Sequence, residues 1–129
     1  MGQPAAKQGD QITATDMHLI QPPGTTTPVL VPHPFTGIID GGLSSDVKIM
    51  SMAAATMNST ATNTPPHIPI GGSFVKPPSN KATIVKGSAT VFINGKAAAR
   101  NGDTAMTCND PADLPAGTVV AVGTVMIGG

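Results

Sequence analysis

Three segments of the chain carry versions of one short pattern, and this repetition limits the folds open to the chain. The best-preserved copy, at residues 91–103, is V-F-I-N-G-K-A-A-A-R-N-G-D. Its two Asn-Gly pairs predict tight turns, because both residue types tolerate positive φ. Turns this close together leave room only for very short strands that fold back on each other.

A second copy opens the chain at residues 4–10, which align with residues 97–103. In both copies a cation, Lys7 or Arg100, follows small residues, and Gly-Asp closes the segment. Glycine supplies the turn, and we expect the aspartate to accept hydrogen bonds from loop amides. We expect the two cations to form surface or inter-loop contacts.

The middle copy, residues 47–55, aligns with residues 91–99, and its closing pair has become Asn58-Ser59. A half-copy at residues 124–128 resembles the strand of the best-preserved copy. Because repeats of one unit pack against each other, the pattern predicts a pseudo-three-fold arrangement in which the C-terminal strand completes the first unit. The predicted fold class is all-β, a small cone of short β-strands and hairpins with long loops rich in proline and glycine.

Two long insertions, at residues 11–46 and 60–87, and a shorter one at residues 104–117 interrupt the pattern of repeats. They hold most of the 13 prolines and predict loops with short strands, because proline lacks a donor for a sheet. With three Phe and no Trp or Tyr, the chain can fill only a thin core. Residues 1–129 are therefore expected to form one small domain with no second domain fused to it.

The charge pattern excludes some partners. The 7 Lys and Arg residues are scattered and balanced by 7 Asp and Glu, which argues against nucleic acid, since that partner requires clustered cations. The longest apolar stretch, residues 119–127, is interrupted by glycine and is shorter than the roughly 20 residues of a membrane helix. Residues 1–20 lack the apolar run of a signal peptide. We expect a chain made in the cytoplasm that does not insert stably in a membrane.

The histidines and the single cysteine follow the repeat. His18 lies eight residues after Asp10, and His67 lies eight residues after Ser59, at the matching turn. Cys108 follows the third such turn by five residues. If the units surround an axis, these three side chains converge at one end of it. His33, between two prolines, can then complete a set of four.

Three imidazoles and one thiolate form a full tetrahedral set for Zn²⁺, and a full set is typical of structural sites. A narrow end built from loops buries little apolar surface, so a metal would contribute much of its stability. The alternative is that these residues are ordinary histidines and a buried thiol with no metal. A Cys–His catalytic pair is a third interpretation, but no oxyanion-donor motif accompanies it, and we expect no enzymatic activity.

Residues 87–108, G-S-A-T-V-F-I-N-G-K-A-A-A-R-N-G-D-T-A-M-T-C, resemble the PAAR-repeat proteins, which are named for a Pro-Ala-Ala-Arg motif. Residues 4–7 match the motif with Lys in place of Arg, and residues 97–100 match it with Ala in place of Pro. The middle copy, residues 53–56, lacks the cation. The resemblance is strongest in the last copy.

This resemblance implies a cone that caps the trimeric β-helical spike of a contractile injection system. Such systems include type VI secretion, extracellular injection particles and phage-like tails. It also implies a structural zinc near the point, bound by three histidines and a cysteine. The residues of this chain that can fill that role are His18, His33, His67 and Cys108.

The implied partner is a trimeric spike protein, on which this chain sits as a monomer and adds strand edges. We expect those edges at Val47–Met50, Val91–Asn94 and Val119–Ile127. The protein would be made in the bacterial cytoplasm and delivered outside the cell or into a target whose membrane it pierces. An alternative role is an adaptor that links a separate effector to the spike, and a less favoured one is a small metal-dependent or cysteine hydrolase.

Overall fold

The computed structural model describes residues 2–128, which form strands and loops without a helix. The strands are β1 (Gln3–Pro4), β2 (Gln11–Gln21), β3 (Val29–Gly41), β4 (Lys48–Ile49), β5 (Met52–Ala53), β6 (Thr60–Asn63), β7 (Ser73–Phe74), β8 (Lys81–Ile84), β9 (Phe92–Ile93), β10 (Lys96–Ala97), β11 (Thr104–Thr107), β12 (Leu114–Val120) and β13 (Met126–Ile127). Within the described residues, nothing helical has the length and apolarity to cross a membrane. The predicted all-β class is confirmed.

Three two-stranded sheets, which we call the hairpin tier, lie at one end of the fold. They pair β4 with β5, β9 with β10, and β1 with β13, all antiparallel. In the last pair Gln3 lies opposite Ile127 and Pro4 lies opposite Met126. The prediction that the C-terminal strand completes the first unit is therefore confirmed.

The pseudo-three-fold axis passes between three alanines. The Ala6 amide donates to Ala99 O at 3.0 Å, the Ala99 amide donates to Ala55 O at 3.1 Å, and the Ala55 amide donates to Ala6 O at 3.0 Å. All three alanines are fully buried. Three chain segments that bond to each other in a ring must approach closely, and a methyl group is the largest side chain with space there. This close approach explains why each repeat contains a run of small residues.

Six longer strands continue from the hairpin tier as a closed barrel in the order β12, β11, β8, β6, β3, β2, because β12 also pairs with β2. Strand β7 adds to the outer end of β2. The barrel interior is filled by Ile12, Phe35, Ile39, Ile84 and Val119, all essentially inaccessible. Val119 was expected at a free edge and is instead inside the barrel, because β12 closes the ring.

The first insertion differs from the prediction of loops with short strands. Within it, β2 has 11 residues and β3 has 13, paired along most of their length. Strand β3 tolerates Pro32 and Pro34 because β6 pairs with it only from Gly37 onward. The Thr36 amide, which points the same way as the two proline nitrogens, donates to Asn63 on that side. The proline nitrogens therefore face a side where no strand requires a donor.

Candidate metal centre

Three equivalent turns join the hairpin tier to the barrel and set where the functional side chains lie. In each turn the first residue's amide donates to the last residue's side chain. The three bonds are Lys7 N to Asp10 Oδ2 at 3.1 Å, Thr56 N to Ser59 Oγ at 2.9 Å, and Arg100 N to Asp103 Oδ2 at 2.7 Å. The predicted role of the aspartates as acceptors for loop amides is confirmed.

The two cations of these turns are largely buried and make inter-loop contacts, as one of the two expectations stated: Lys7 Nζ donates to Val122 O at 2.6 Å, and Arg100 Nη1 donates to Gly128 O at 3.4 Å. Lys7 Nζ lies 3.0 Å from Asp10 Oδ1, and Arg100 Nη2 lies 2.9 Å from Asp103 Oδ1, with all four side chains largely buried. The hydrogen bond that Arg100 donates to Asp103 raises the pKa of Arg100. Each ion pair links the first residue of a turn to the last residue of the same turn. Neither pair includes a histidine.

The strands after the three turns lead four side chains to a common point beyond the barrel core. The structure brings together Asp16 and His18 of β2, His67 after β6, and Cys108 after β11, with one ligand atom from each within 4.8 Å of all the others. We call these residues the four-residue cluster. His67 Nε2 lies 2.9 Å from Asp16 Oδ2, and Cys108 Sγ lies 3.3 Å from that oxygen and 3.8 Å from His18 Nε2.

Asp16 was missed by sequence reasoning. It lies two residues before His18, and alternate residues of a strand share a face. That signal becomes visible only once residues 11–21 are recognised as a strand rather than a loop. Asp16 is fully buried, and its Oδ1 accepts from the Thr107 hydroxyl at 2.6 Å.

His33 lies beside the four-residue cluster and outside it. Its ring centroid is 5.5 Å from that of His18 and 5.7 Å from that of His67. Its Nδ1 donates to Val31 O at 2.8 Å, and its Nε2 accepts from the Ile70 amide at 3.3 Å. Of the four predicted ligands, the structure therefore brings three together and places the fourth against them. Their role as metal ligands remains a prediction.

The surroundings of His18 favour its neutral form, which is the form that can bind a metal ion. Burial, followed by the nearby His67, lowers the pKa of His18, while Asp110 and Asp16 oppose that shift. Its Nδ1 has no hydrogen bond within residues 2–128, and the nearest carboxylate oxygen, Asp110 Oδ2, is 3.4 Å away. A neutral imidazole whose inner nitrogen faces the cluster, with a carboxylate near the outer one, matches the arrangement seen around metal-bound histidines.

The surroundings of Cys108, in contrast, disfavour the thiolate, which is the form that binds a metal ion. Burial, with a contribution from Asp16, raises the pKa of its thiol to about 11. A nucleophilic cysteine requires a lowered pKa, so this environment argues against a cysteine enzyme. A metal that binds here would have to displace the thiol proton.

The donor set fits Zn²⁺. Imidazole, thiolate and carboxylate groups are its usual protein ligands, and here two imidazoles, a cysteine and a carboxylate converge at a buried position. An ionised carboxylate that is fully buried is costly unless a cation or hydrogen bonds compensate it. A divalent cation among these four groups would supply that compensation.

Comparison with known families agrees with the repeat. A family model described as the PAAR motif matches residues 30–111 and also residues 76–129. Together the two matches reach from residue 30 to residue 129 and include His33, His67 and Cys108, whereas Asp16 and His18 precede them. No curated protein matches the chain.

Proposed function

Because this chain belongs to the PAAR-motif family, we propose that it caps and sharpens the trimeric β-helical spike of a contractile injection apparatus. The family as a whole provides spike-tip proteins of such systems. The finer role rests on two features of this chain, the hairpin tier at one end and the four-residue cluster beyond the other end of the barrel core.

The hairpin tier is the main support for docking on a trimeric spike. A single chain that docks on a trimer must offer each subunit a similar edge, and β4, β9 and β13 are three such edges. Their second residues, Ile49, Ile93 and Ile127, are buried together beneath the tier. Their first residues point outward at equivalent positions, and two of them, Phe92 and Met126, are 60% and 58% exposed. Exposed apolar side chains beside short free strands suit the addition of strands from a spike.

The four-residue cluster supports the point of the cone in this proposal. The loops around it contain much proline and glycine and bury little apolar surface, so hydrophobic burial alone holds them weakly. A structural zinc bound by His18, His67 and Cys108 together with a fourth ligand, His33 or Asp16, would tie β2 to the ends of β6 and β11. Metal binding of this kind contributes directly to folding free energy.

The proposed role is mechanical, without catalysis. The raised pKa of Cys108 supports that view. We propose that the protein is made in the bacterial cytoplasm, joins the spike as a monomer on a homotrimer, and is delivered with it outside the cell or into a target. It would pierce a membrane without remaining inserted.

Co-purification with a trimeric β-helical spike tests the docking proposal. Phe92→Asp places a charge on an exposed position of the hairpin tier and should abolish co-purification without loss of folding or zinc. Ile68→Asp is the matched control, because Ile68 is 72% exposed and lies next to His67, away from the tier. It should leave co-purification intact. If Ile68→Asp blocks docking and Phe92→Asp does not, the hairpin tier is not the docking end, and the end near the four-residue cluster binds the spike instead.

His67→Ala tests the point of the cone separately. It should reduce zinc content and stability while the hairpin tier still docks. If docking disappears while folding and zinc content stay normal, the proposed separation of the two ends is wrong.

A further inference from the structure

We propose that the end of the fold opposite the hairpin tier binds reversibly to a lipid bilayer, because exposed apolar side chains there partition into it. We call this surface the apolar point and define it by Leu19, Leu30, Ile68, Ile70 and Val75. The inference rests on the proposed function, which places this end away from the spike, and it names a partner for it.

Three neighbouring strand segments place apolar side chains side by side on the outer face of this end. In β2, His18 and Ile20 are buried, and Leu19 between them lies on the opposite face. Leu30 of β3 lies directly opposite Leu19, and on the other side the Val75 amide donates to Leu19 O at 3.1 Å. Leu30 is 51% exposed and Val75 is 50% exposed. The three side chains therefore form an apolar row that is open to water.

The outer face of the β2–β3 pair changes from polar to apolar along its length. From the barrel outward, the facing residues are Thr13 with Thr36, Thr15 with Pro34, Met17 with Pro32, and Leu19 with Leu30. The outer face of an antiparallel sheet is commonly polar, because it is solvated. Here the apolar pairs begin beyond the part of β2 that pairs with β12. This change indicates that the far end of the face meets something other than water.

The loop after β6 adds two more apolar side chains beside β3. Ile68 is 72% exposed and Ile70 is 49% exposed. The Ile70 amide donates to His33 Nε2 at 3.3 Å, which holds the loop against β3. Both isoleucines line an open groove together with Pro34. Single exposed apolar side chains are ordinary, but a group of them on adjoining segments marks a binding surface.

The charge distribution around the apolar point is complementary to a bilayer. Residues 17–39 and 63–75, which supply all five side chains, contain no Lys, Arg, Asp or Glu. Charged side chains begin at the border, where Lys76 follows Val75 and lines a cleft with Asp113. An uncharged surface can enter the acyl boundary of a bilayer while charged side chains at its border reach the polar headgroups.

The backbone of this end is poor in hydrogen-bond donors, which favours lipid over a protein strand as the partner. Of the 13 prolines, five lie within residues 22–34 and five within residues 65–78, and proline has no N–H. A backbone donor that leaves water without a new partner costs free energy, and this cost keeps most loops out of lipid. A protein that adds a strand would need those same donors. The apolar point therefore suits a partner that makes no backbone hydrogen bonds.

Sedimentation with vesicles of zwitterionic phosphatidylcholine tests the proposal on the whole chain, kept in zinc-containing buffer. Binding should be reversible and should persist at high salt, because it does not depend on attraction between charges. Leu30→Asp and Ile68→Asp should each lower the partition coefficient by about tenfold or more, because an ionised carboxylate resists leaving water.

Val122→Asp is the matched control. Val122 is 70% exposed, and its carbonyl accepts from Lys7 Nζ at a turn beside the hairpin tier, far along the fold from the apolar point. This variant should bind vesicles as the wild type does. Loss of binding in Val122→Asp equal to that in Leu30→Asp would contradict the assignment to one end.

A single tryptophan reports the contact directly, because the chain has none of its own. Leu30→Trp should shift its fluorescence to shorter wavelength when vesicles are added, and lipids brominated on their acyl chains should quench it. Val122→Trp should show neither change. This measurement does not depend on the folding of an aspartate variant.

Wild-type protein that stays in solution with these vesicles, or binding that high salt abolishes, would overturn the inference. Unchanged fluorescence of Leu30→Trp would do the same. If a cellular protein then co-purifies with the wild type and not with Leu30→Asp, a protein cargo occupies the apolar point instead. Spike docking is measured separately, so a chain that docks without binding lipid overturns only this inference, and one that binds lipid without docking overturns only the capping role.

Discussion

The Arg100–Asp103 pair offers a test of how the turns are stabilised. Asp103 is 2% exposed, and its carboxylate accepts from the Arg100 amide at 2.7 Å, from Nε at 3.2 Å and from Nη2 at 2.9 Å. Asp103→Ser removes the charge and leaves a guanidinium whose side chain is only 13% exposed. Breaking a buried pair costs about 3–5 kcal/mol. Because Arg100 lies near the surface and can turn toward water, we expect a loss of about 3 kcal/mol.

The middle turn supplies the control. There Thr56 and Ser59 occupy the same positions, and the backbone bond is kept without any charge. The double change Arg100→Thr with Asp103→Ser copies that turn. It should lie within about 1 kcal/mol of the wild type, because replacing a whole buried pair is often neutral. The two single changes and the double change form a cycle with an expected coupling of about 2 kcal/mol or more.

The assay is urea unfolding of proteins kept in the same zinc-containing buffer, monitored by far-ultraviolet circular dichroism because the chain has no Trp or Tyr. Coupling appears as a double variant more stable than the sum of its parts. If the single changes add to the double change, the charges do not stabilise each other. If the double variant is as unstable as Asp103→Ser alone, the middle turn is not an equivalent replacement.

Three further predictions concern other parts of the fold. Ser51 has φ of +71° and the equivalent Gly95 has φ of +78° with open space at its Cβ position, so Ser51→Gly should stabilise by about 0.5–1 kcal/mol and Gly95→Ser should destabilise by about 1 kcal/mol. Equal effects of the two changes on the unfolding midpoint would contradict this reasoning. Ala55→Leu should overpack the axis and cost at least about 1–3 kcal/mol, whereas a neutral result in the same assay would mean that the axis has spare room. Removal of zinc with a chelator should lower the melting temperature and let Cys108 react with a thiol reagent, and rapid reaction of the zinc-loaded protein would contradict a closed site.

The repeat could be found in the sequence because its physical causes are local. Tight turns need residues that tolerate positive φ, and a ring of crowded backbones needs alanine, so both leave visible marks at a fixed spacing. His18, His67 and Cys108 follow equivalent turns, and that register placed them together. The turns of each repeat, and the positions that are equivalent between repeats, are therefore recoverable from residue types alone.

The long strands and the position of Asp16 could not be predicted, because they depend on pairing between distant segments. Residues 29–41 form a strand despite Pro32 and Pro34, because β2 pairs with one side of it and the other side needs no donor. Asp16 becomes a candidate ligand only in that register. The turn at Met50 and Ser51 has no glycine and still adopts positive φ at both residues, because Ile49 pairs with Met52 and leaves only these two residues to close the hairpin.

The pairing of β1 with β13 has a consequence for how the protein is made. Gln3 cannot find its partner Ile127 until residue 127 has left the ribosome. Folds dominated by such distant contacts form slowly, because the entropy of closing a long loop is lost before the contacts compensate it. The first repeat therefore stays incomplete until residues 126–127 have been synthesised. Any partner that binds the nascent chain would meet that repeat with one strand still missing.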